Sequence, residues 1–188
     1  GATGMEIEKN GQWYTEVSAW AKDGVEKAID LGVAYWPSRG DAKTSISRCY
    51  FAEDAAAVVA LAYGSDLAAY EGFRVLQLMR GTGDKQKYAY ETLDILRGRG
   101  NGDMDFFGNI TRQEAAVMLA RAYRIYCDEI HDDMEPLAYA DKNDIADWAK
   151  EDVALITHLG VMNGIGENKF DPKGVYTLEQ CFVTLVRL

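Results

Sequence analysis

Basic residues are in the minority: 20 lysines and arginines stand against 30 aspartates and glutamates in 188 residues, a formal net charge of −10. That balance argues against a nucleic-acid partner and against an anionic membrane surface, both of which recruit positive charge. No apolar run approaches the length of a membrane span, so no membrane insertion is expected. With His131 and His158 as the only two histidines, no nucleophile–base constellation and no phosphate loop can be read, and the chain is not expected to be an enzyme. Cys49, Cys127 and Cys181 are odd in number and widely spaced. They form no CxxC pair, which disfavours tetrahedral zinc; each sits in an apolar helical context suited to a small buried hydrophobe. No metal and no cofactor is expected. A signal peptide is also missing, and the opening Gly1-Ala2-Thr3-Gly4-Met5 reads as a tag scar or a trimmed end, which leaves room for a secretion signal having been removed.

What is present is a core-forming composition, 48% hydrophobic, organised around the stretch Gly98–Tyr123. It consists of a glycine-rich loop, the tetrad Thr111-Arg112-Gln113-Glu114 and an amphipathic helix. Thr-x-x-Glu ahead of an apolar run is a capping box: the threonine hydroxyl accepts the N–H three residues on, and the glutamate reaches back to the threonine N–H. Ala115, Met118, Leu119, Ala122 and Tyr123 then fall on one helical face.

A shift of 66 residues lays Ile95–Glu114 on Val161–Gln180 without a gap. Gly98 meets Gly164, Gly100 meets Gly166, Asp105 meets Asp171, Gly108 meets Gly174 and Thr111 meets Thr177; Thr177-Leu178-Glu179-Gln180 is a second capping box. A separate match links Trp20-Ala21-Lys22 to Trp148-Ala149-Lys150, each ahead of a helix closed by Leu-Gly-Val. Ile46-Ser47-Arg48 echoes Ile110-Thr111-Arg112 before an alanine-rich helix, Arg48–Tyr63. Internal repetition of this kind implies units that bury their apolar faces on one another. Three are read: 13–63, 82–126 and 139–188, with a linking or inserted helix over 64–81 and an acidic linker over 127–138. Each unit is a helix, a glycine-rich loop and a second helix, so an all-α fold is expected.

In order, these motifs resemble the S-layer homology family. Tyr139-Ala140-Asp141, Trp148-Ala149, Leu159-Gly160-Val161, Gly164, Phe170-Asp171-Pro172 and the second tetrad carry the resemblance in the last unit. Tyr14-Thr15-Glu16-Val17, Trp20-Ala21, Leu31-Gly32-Val33 and Ile46-Ser47-Arg48 carry it in the first, and Ile110-Thr111-Arg112-Gln113-Glu114 in the second. The resemblance implies a pseudo-threefold helical bundle on the outside of a bacterium, in the cell wall or S-layer. It implies non-catalytic anchoring to a secondary cell-wall polysaccharide, often one with pyruvate ketals, held in grooves between units. It also implies, as a further partner, a passenger domain on the same polypeptide.

The implied contacts are Arg112 first and Arg48 second, with Trp20, Trp148, Gly98 and Gly164. A guanidinium offers a planar fork to a carboxylate, a helix start offers free N–H groups, and an indole face suits a sugar ring. Leu178 stands where the last unit should carry its arginine, so that groove is expected to be weak. The two tryptophans suit a core as well as a groove.

Two other readings stand beside this one. A protein-interaction scaffold that has lost glycan binding would account for the altered tetrads. The loop Asp103–Glu114 also nearly fits an EF-hand, with acids at positions one and three, glycine at six and glutamate at twelve, although Phe107 sits where a ligand oxygen is needed. The acidic run around His131 reads as a solvated linker.

Overall fold

The computed structural model describes residues 4–34, 38–63, 95–97, 105, 107–129, 131 and 134–188. The expected linking helix over 64–81, the expected helix over most of 85–96, Gly98, and Asp103, Met104 and Phe106 of the EF-hand-like loop lie outside them. The described residues contain five α-helices and a three-stranded mixed sheet, which corrects the all-α expectation.

The sheet begins with strands β1 (Met5–Lys9) and β2 (Gln12–Val17), antiparallel across Asn10-Gly11. Both turn residues have positive φ, 53° and 80°, the conformation a two-residue hairpin needs and one that Asn-Gly adopts cheaply. Along β2, Tyr14 and Val17 are fully buried whereas Trp13 is exposed; a bulge at Glu16, φ 57°, breaks the alternation and lets residues three apart both face the core. Strand β3 (Arg39–Asp41) then pairs in parallel with β2, Tyr14 opposite Gly40. A three-residue strand formed by non-local pairing carries almost no sequence signal.

Helix α1 (Lys22–Leu31) follows a 3-10 turn at Ala19–Ala21 and buries Val25, Ala28 and Ile29. Gly32, with φ 75°, ends it by returning its N–H to Ala28 and Ile29 carbonyls. Ser18, a residue type that commonly caps helices, makes no cap bond; its N–H and hydroxyl both donate to the Glu179 carboxylate at 2.8 Å. Helix α2 is Arg48–Tyr63, α3 is Arg112–Tyr126, α4 is Asp147–His158 and α5 is Leu178–Arg187. The face read from the sequence of α3 is the buried one.

The starts of α2, α3 and α5 form a closed ring. Arg48 N–H donates to Gly108 O at 2.9 Å, Arg112 N–H to Gly174 O at 3.0 Å, and Leu178 N–H to Thr44 O at 2.8 Å. Single antiparallel β-bridges reinforce each step: Ser47 with Asn109, Thr111 with Val175, and Ser45 with Thr177. Each helix is thereby pinned to the loop ahead of the next, and the last to the loop ahead of the first. Inside, Tyr14 meets Phe182 edge-on at 5.2 Å and Phe51 meets Tyr176 at 5.6 Å, so residues distant in sequence share one core.

The acidic linker is not simply solvated. His131 Nε2 lies 2.9 Å from the Tyr123 hydroxyl, and its ring packs edge-on to His158 at 5.3 Å. Cys49 and Cys181 are buried as expected, whereas Cys127 is half-buried just past the end of α3. No helix among the described residues is long and apolar enough to cross a membrane.

Candidate functional site

Both Trp-Ala pairs present the same geometry. Ala21 and Ala149 are fully buried, and Trp20 and Trp148 are 60% and 61% exposed. The tryptophans are surface residues and not core anchors. Arg48 and Arg112 are the reverse, 6% and 5% exposed although each opens a helix.

The first groove, about 450 Å³, brings together Trp20, Arg112 and Gly164. Arg112 reaches into it from the start of α3. Its Nε donates to Phe170 O at 2.8 Å and its Nη2 to Asn163 O at 2.9 Å, and its Cζ lies 5.2 Å from the centre of the Phe170 ring. Those carbonyls and the ring hold the guanidinium plane fixed. Its Nη1 makes no hydrogen bond among the described residues, and no carboxylate pairs with it there. Burial draws its pKa below the usual arginine value, against the fields of Tyr176, Asp171, Tyr139 and Asp141, which raise it. It remains a cation whose lost hydration is only partly replaced.

The opposite wall is α5, which contributes Gln180, Val183, Thr184 and Arg187. Arg187 Nη1 leans on Val161 O at 3.4 Å. Two cations, an exposed indole and no carboxylate line this groove on a chain of net charge −10. Gly164 is needed for shape: a Cβ there would meet Lys169 O at 2.5 Å.

The second groove, about 380 Å³, is the first one repeated. Arg48, Arg97, Glu114, Val117, Met118, Arg121 and Trp148 line it. Arg97, Glu114, Val117, Met118 and Arg121 each lie 66 residues before a residue of the first groove: Asn163, Gln180, Val183, Thr184 and Arg187. Arg48 Nη2 donates to Arg97 O as Arg112 Nη2 does to Asn163 O. Arg121 Nη1 donates to Ile95 O at 3.2 Å as Arg187 Nη1 does to Val161 O. Two charged positions differ: Arg97 stands where the first groove has Asn163, and Glu114 where it has Gln180. Arg48 Nη1 pairs with Glu114 Oε2 at 3.0 Å, whereas Gln180 brings no charge to the first groove.

Two expectations change here. The N–H groups at the start of α3 are not free for a ligand, because Arg112 and Gln113 donate theirs to Gly174 O and Pro172 O. Attraction for an anion therefore comes from the guanidinium and not from the helix start. Glu114 turns its carboxylate to Arg48 and accepts the Thr111 hydroxyl at 3.2 Å, whereas Thr177–Gln180 forms the complete capping box. Glu114 is the twelfth position of the EF-hand-like loop, and that pairing directs it away from a calcium ligand's task. Among the described residues no cluster of three potential metal ligands is found.

The sequence reading missed Asn163, Arg187, Arg97 and Arg121. Extending the 66-residue offset past the tetrads into α3 and α5 would have found them, since Val117, Leu119 and Arg121 recur as Val183, Leu185 and Arg187.

Residues 138–180 match the S-layer homology domain. Domains of that family are cell-wall anchoring modules and are not catalytic, and the match indicates a bacterial cell-wall or cell-surface location. Curated relatives agree. The chain is 36% identical over 69 residues to Exoglucanase XynX of Acetivibrio thermocellus, covering 37% of this chain and 6% of that protein. It is 35% identical over 66 residues to an amylopullulanase of Thermoanaerobacterium thermosulfurigenes, 35% of this chain and 4% of that one. An endoglucanase of Bacillus sp. (strain KSM-635) is 31% identical over 103 residues, 52% of this chain and 11% of that enzyme. The chain thus spans only a small part of each. The S-layer homology segment contains Gly164, Phe170 and Gln180, the loop and helix start that wall the first groove, and Trp148 from the second.

Proposed function

We propose that the chain is a three-unit S-layer-homology module that attaches a passenger domain to an anionic cell-wall polysaccharide, with sugars bearing carboxylates such as pyruvate ketals. The units are 13–63, 82–126 and 139–188, and the ligand lies in the grooves between them. The observation that carries this reading is the first groove: a buried guanidinium whose Nη1 is unused among the described residues, beside an exposed indole. A carboxylate on a sugar matches the first, and the apolar face of the ring matches the second. Trp20, Arg112 and Gly164 are the contacts there, and Arg48 and Trp148 are their counterparts in the second groove.

The test is co-sedimentation with purified sacculi, with and without their secondary polysaccharide, for wild type and Arg112→Ala. Binding that requires the polysaccharide and falls at least tenfold in the variant is expected. Equal recovery in the supernatant throughout would overturn the anchoring role.

A further inference from the structure

Arg187 opens no helix and belongs to no tetrad, yet it lines the first groove from the last turn of α5. A cation there complements the helix dipole, and it could do so while pointing into open solvent. Instead it leans over the loop that Arg112 grips. Arg187 Nη1 donates to Val161 O at 3.4 Å, and Arg112 Nη2 donates to Asn163 O at 2.9 Å. Those carbonyls are two residues apart, so no more than about 7 Å of chain separates the anchor points. Two guanidiniums are thus drawn to one stretch of loop, and no carboxylate lines the groove to answer them.

The arrangement is built twice. Arg121 donates to Ile95 O and Arg48 to Arg97 O, again two residues apart. In the second groove Arg48, Arg97 and Arg121 against Glu114 leave two positive charges, the same as Arg112 and Arg187 in the first. The side chains around the paired cations change between the grooves; the pair does not.

We infer that Arg187 is the second anion contact of the first groove, so that a sugar carboxylate is taken between two guanidiniums and not by Arg112 alone. This rests on the wall-glycan reading above and refines it. The two arginines divide the task. Arg112, 5% exposed and held by two carbonyls and a ring, sets where the carboxylate lies. Arg187 is exposed and its bond to Val161 is long, so it can turn to the ligand and supplies charge more than shape. Like charges so placed repel, and a carboxylate between them turns that repulsion into attraction. An uncharged sugar gains nothing from Arg187.

The experiment is an NMR titration of the protein labelled at its indole nitrogens, read at Trp20, whose signal is assigned by Trp20→Phe. The probes are a methyl hexopyranoside carrying a 4,6-linked pyruvate ketal and the uncharged methyl ester of that ketal. Arg187→Gln is expected to raise the Kd of the acid about fivefold or more and to leave that of the ester within about twofold. Arg187→Lys, which keeps the charge, should bind the acid within about threefold of wild type.

An acid Kd unchanged in Arg187→Gln, or raised equally by lysine and by glutamine, overturns the inference while the anchoring role stands. So does an equal rise in the Kd of the ester, which would make Arg187 a prop for the loop at Val161. Should the ester leave Trp20 unmoved, the glutamine and lysine variants decide between them. Silence of Trp20 to both probes overturns the inference as well, and together with absent sacculus binding it sinks the anchoring role itself.

Discussion

Arg48 and Arg112 hold the same main-chain contact, Nη2 to the carbonyl of Arg97 and of Asn163 respectively, and they differ in whether a carboxylate faces Nη1. Buried cations at helix starts oppose the helix dipole and are costly unless something negative answers them. Arg48 is answered within the protein. Arg112 is answered by two carbonyls and a ring face, which leaves a role for an anion from outside. The predictions that follow separate what these residues do for binding from what they do for folding.

Arg112→Lys keeps the charge but loses the planar fork that reaches Phe170 O and Asn163 O together. Sacculus binding is expected to fall at least about tenfold, roughly the loss of one charge-assisted hydrogen bond. A lysine variant that binds as wild type would show that charge alone suffices.

Trp20→Ala should separate groove lining from core packing. At 60% exposure the ring contributes little to stability, so unfolding free energy should change by no more than about 0.5 kcal/mol. Glycan binding should fall by about 1–3 kcal/mol, the range for loss of an aromatic stacking platform. Chemical denaturation and sacculus binding on the same sample check both halves.

Glu179→Ala should unfold the protein more readily by about 2–4 kcal/mol. Glu179 is 3% exposed and accepts both the N–H and the hydroxyl of Ser18, with Lys43 at 3.4 Å. Removing it leaves the two Ser18 donors without their acceptor and Lys43 with the Glu16 carbonyl but no carboxylate. A urea-unfolding series reads the change.

Asp141 gives a pH dependence with a definite sign. Burial would raise its pKa, but N–H donation from Phe170 and Asp171, both at 2.9 Å, together with Lys169 holds the pKa below the usual carboxylate value. A depressed carboxylate contributes stability above its unfolded value, near 3.9, and loses it as pH falls through the lower folded one. Asp141→Asn is therefore expected to lower Tm by roughly 3 °C at pH 7, for a cost of about 1 kcal/mol. The difference should vanish in strongly acidic buffer; a gap that persists there would remove the charge from the explanation.

Much of this was written locally. The two capping threonines marked the starts of α3 and α5, glycine marked the end of α1, and alanine content marked α2, because helix signals are short-range. Asn10-Gly11 was an equally local hairpin signal and would have given β1 and β2 had it been weighed. Strand β3 could not be read, since three residues pairing with a strand distant in sequence leave no periodicity. The groove was half legible. Arg112 and Trp20 follow from motif resemblance, but the capping-box pattern conceals that Glu114 pairs with Arg48, a residue far away in sequence.

The ring of helix starts also bears on what a fragment could do. The first groove takes its indole from the N-terminal third of the chain, its guanidinium from the middle and its far wall from α5. Leu178 closes the circle by donating to Thr44. An isolated 66-residue stretch, of the length shared with the amylopullulanase, would carry the motif letters without an assembled groove. Copies of the motif along this chain are therefore not spares for one another. Each supplies an arc of a circle, and deleting one would remove a wall from both grooves.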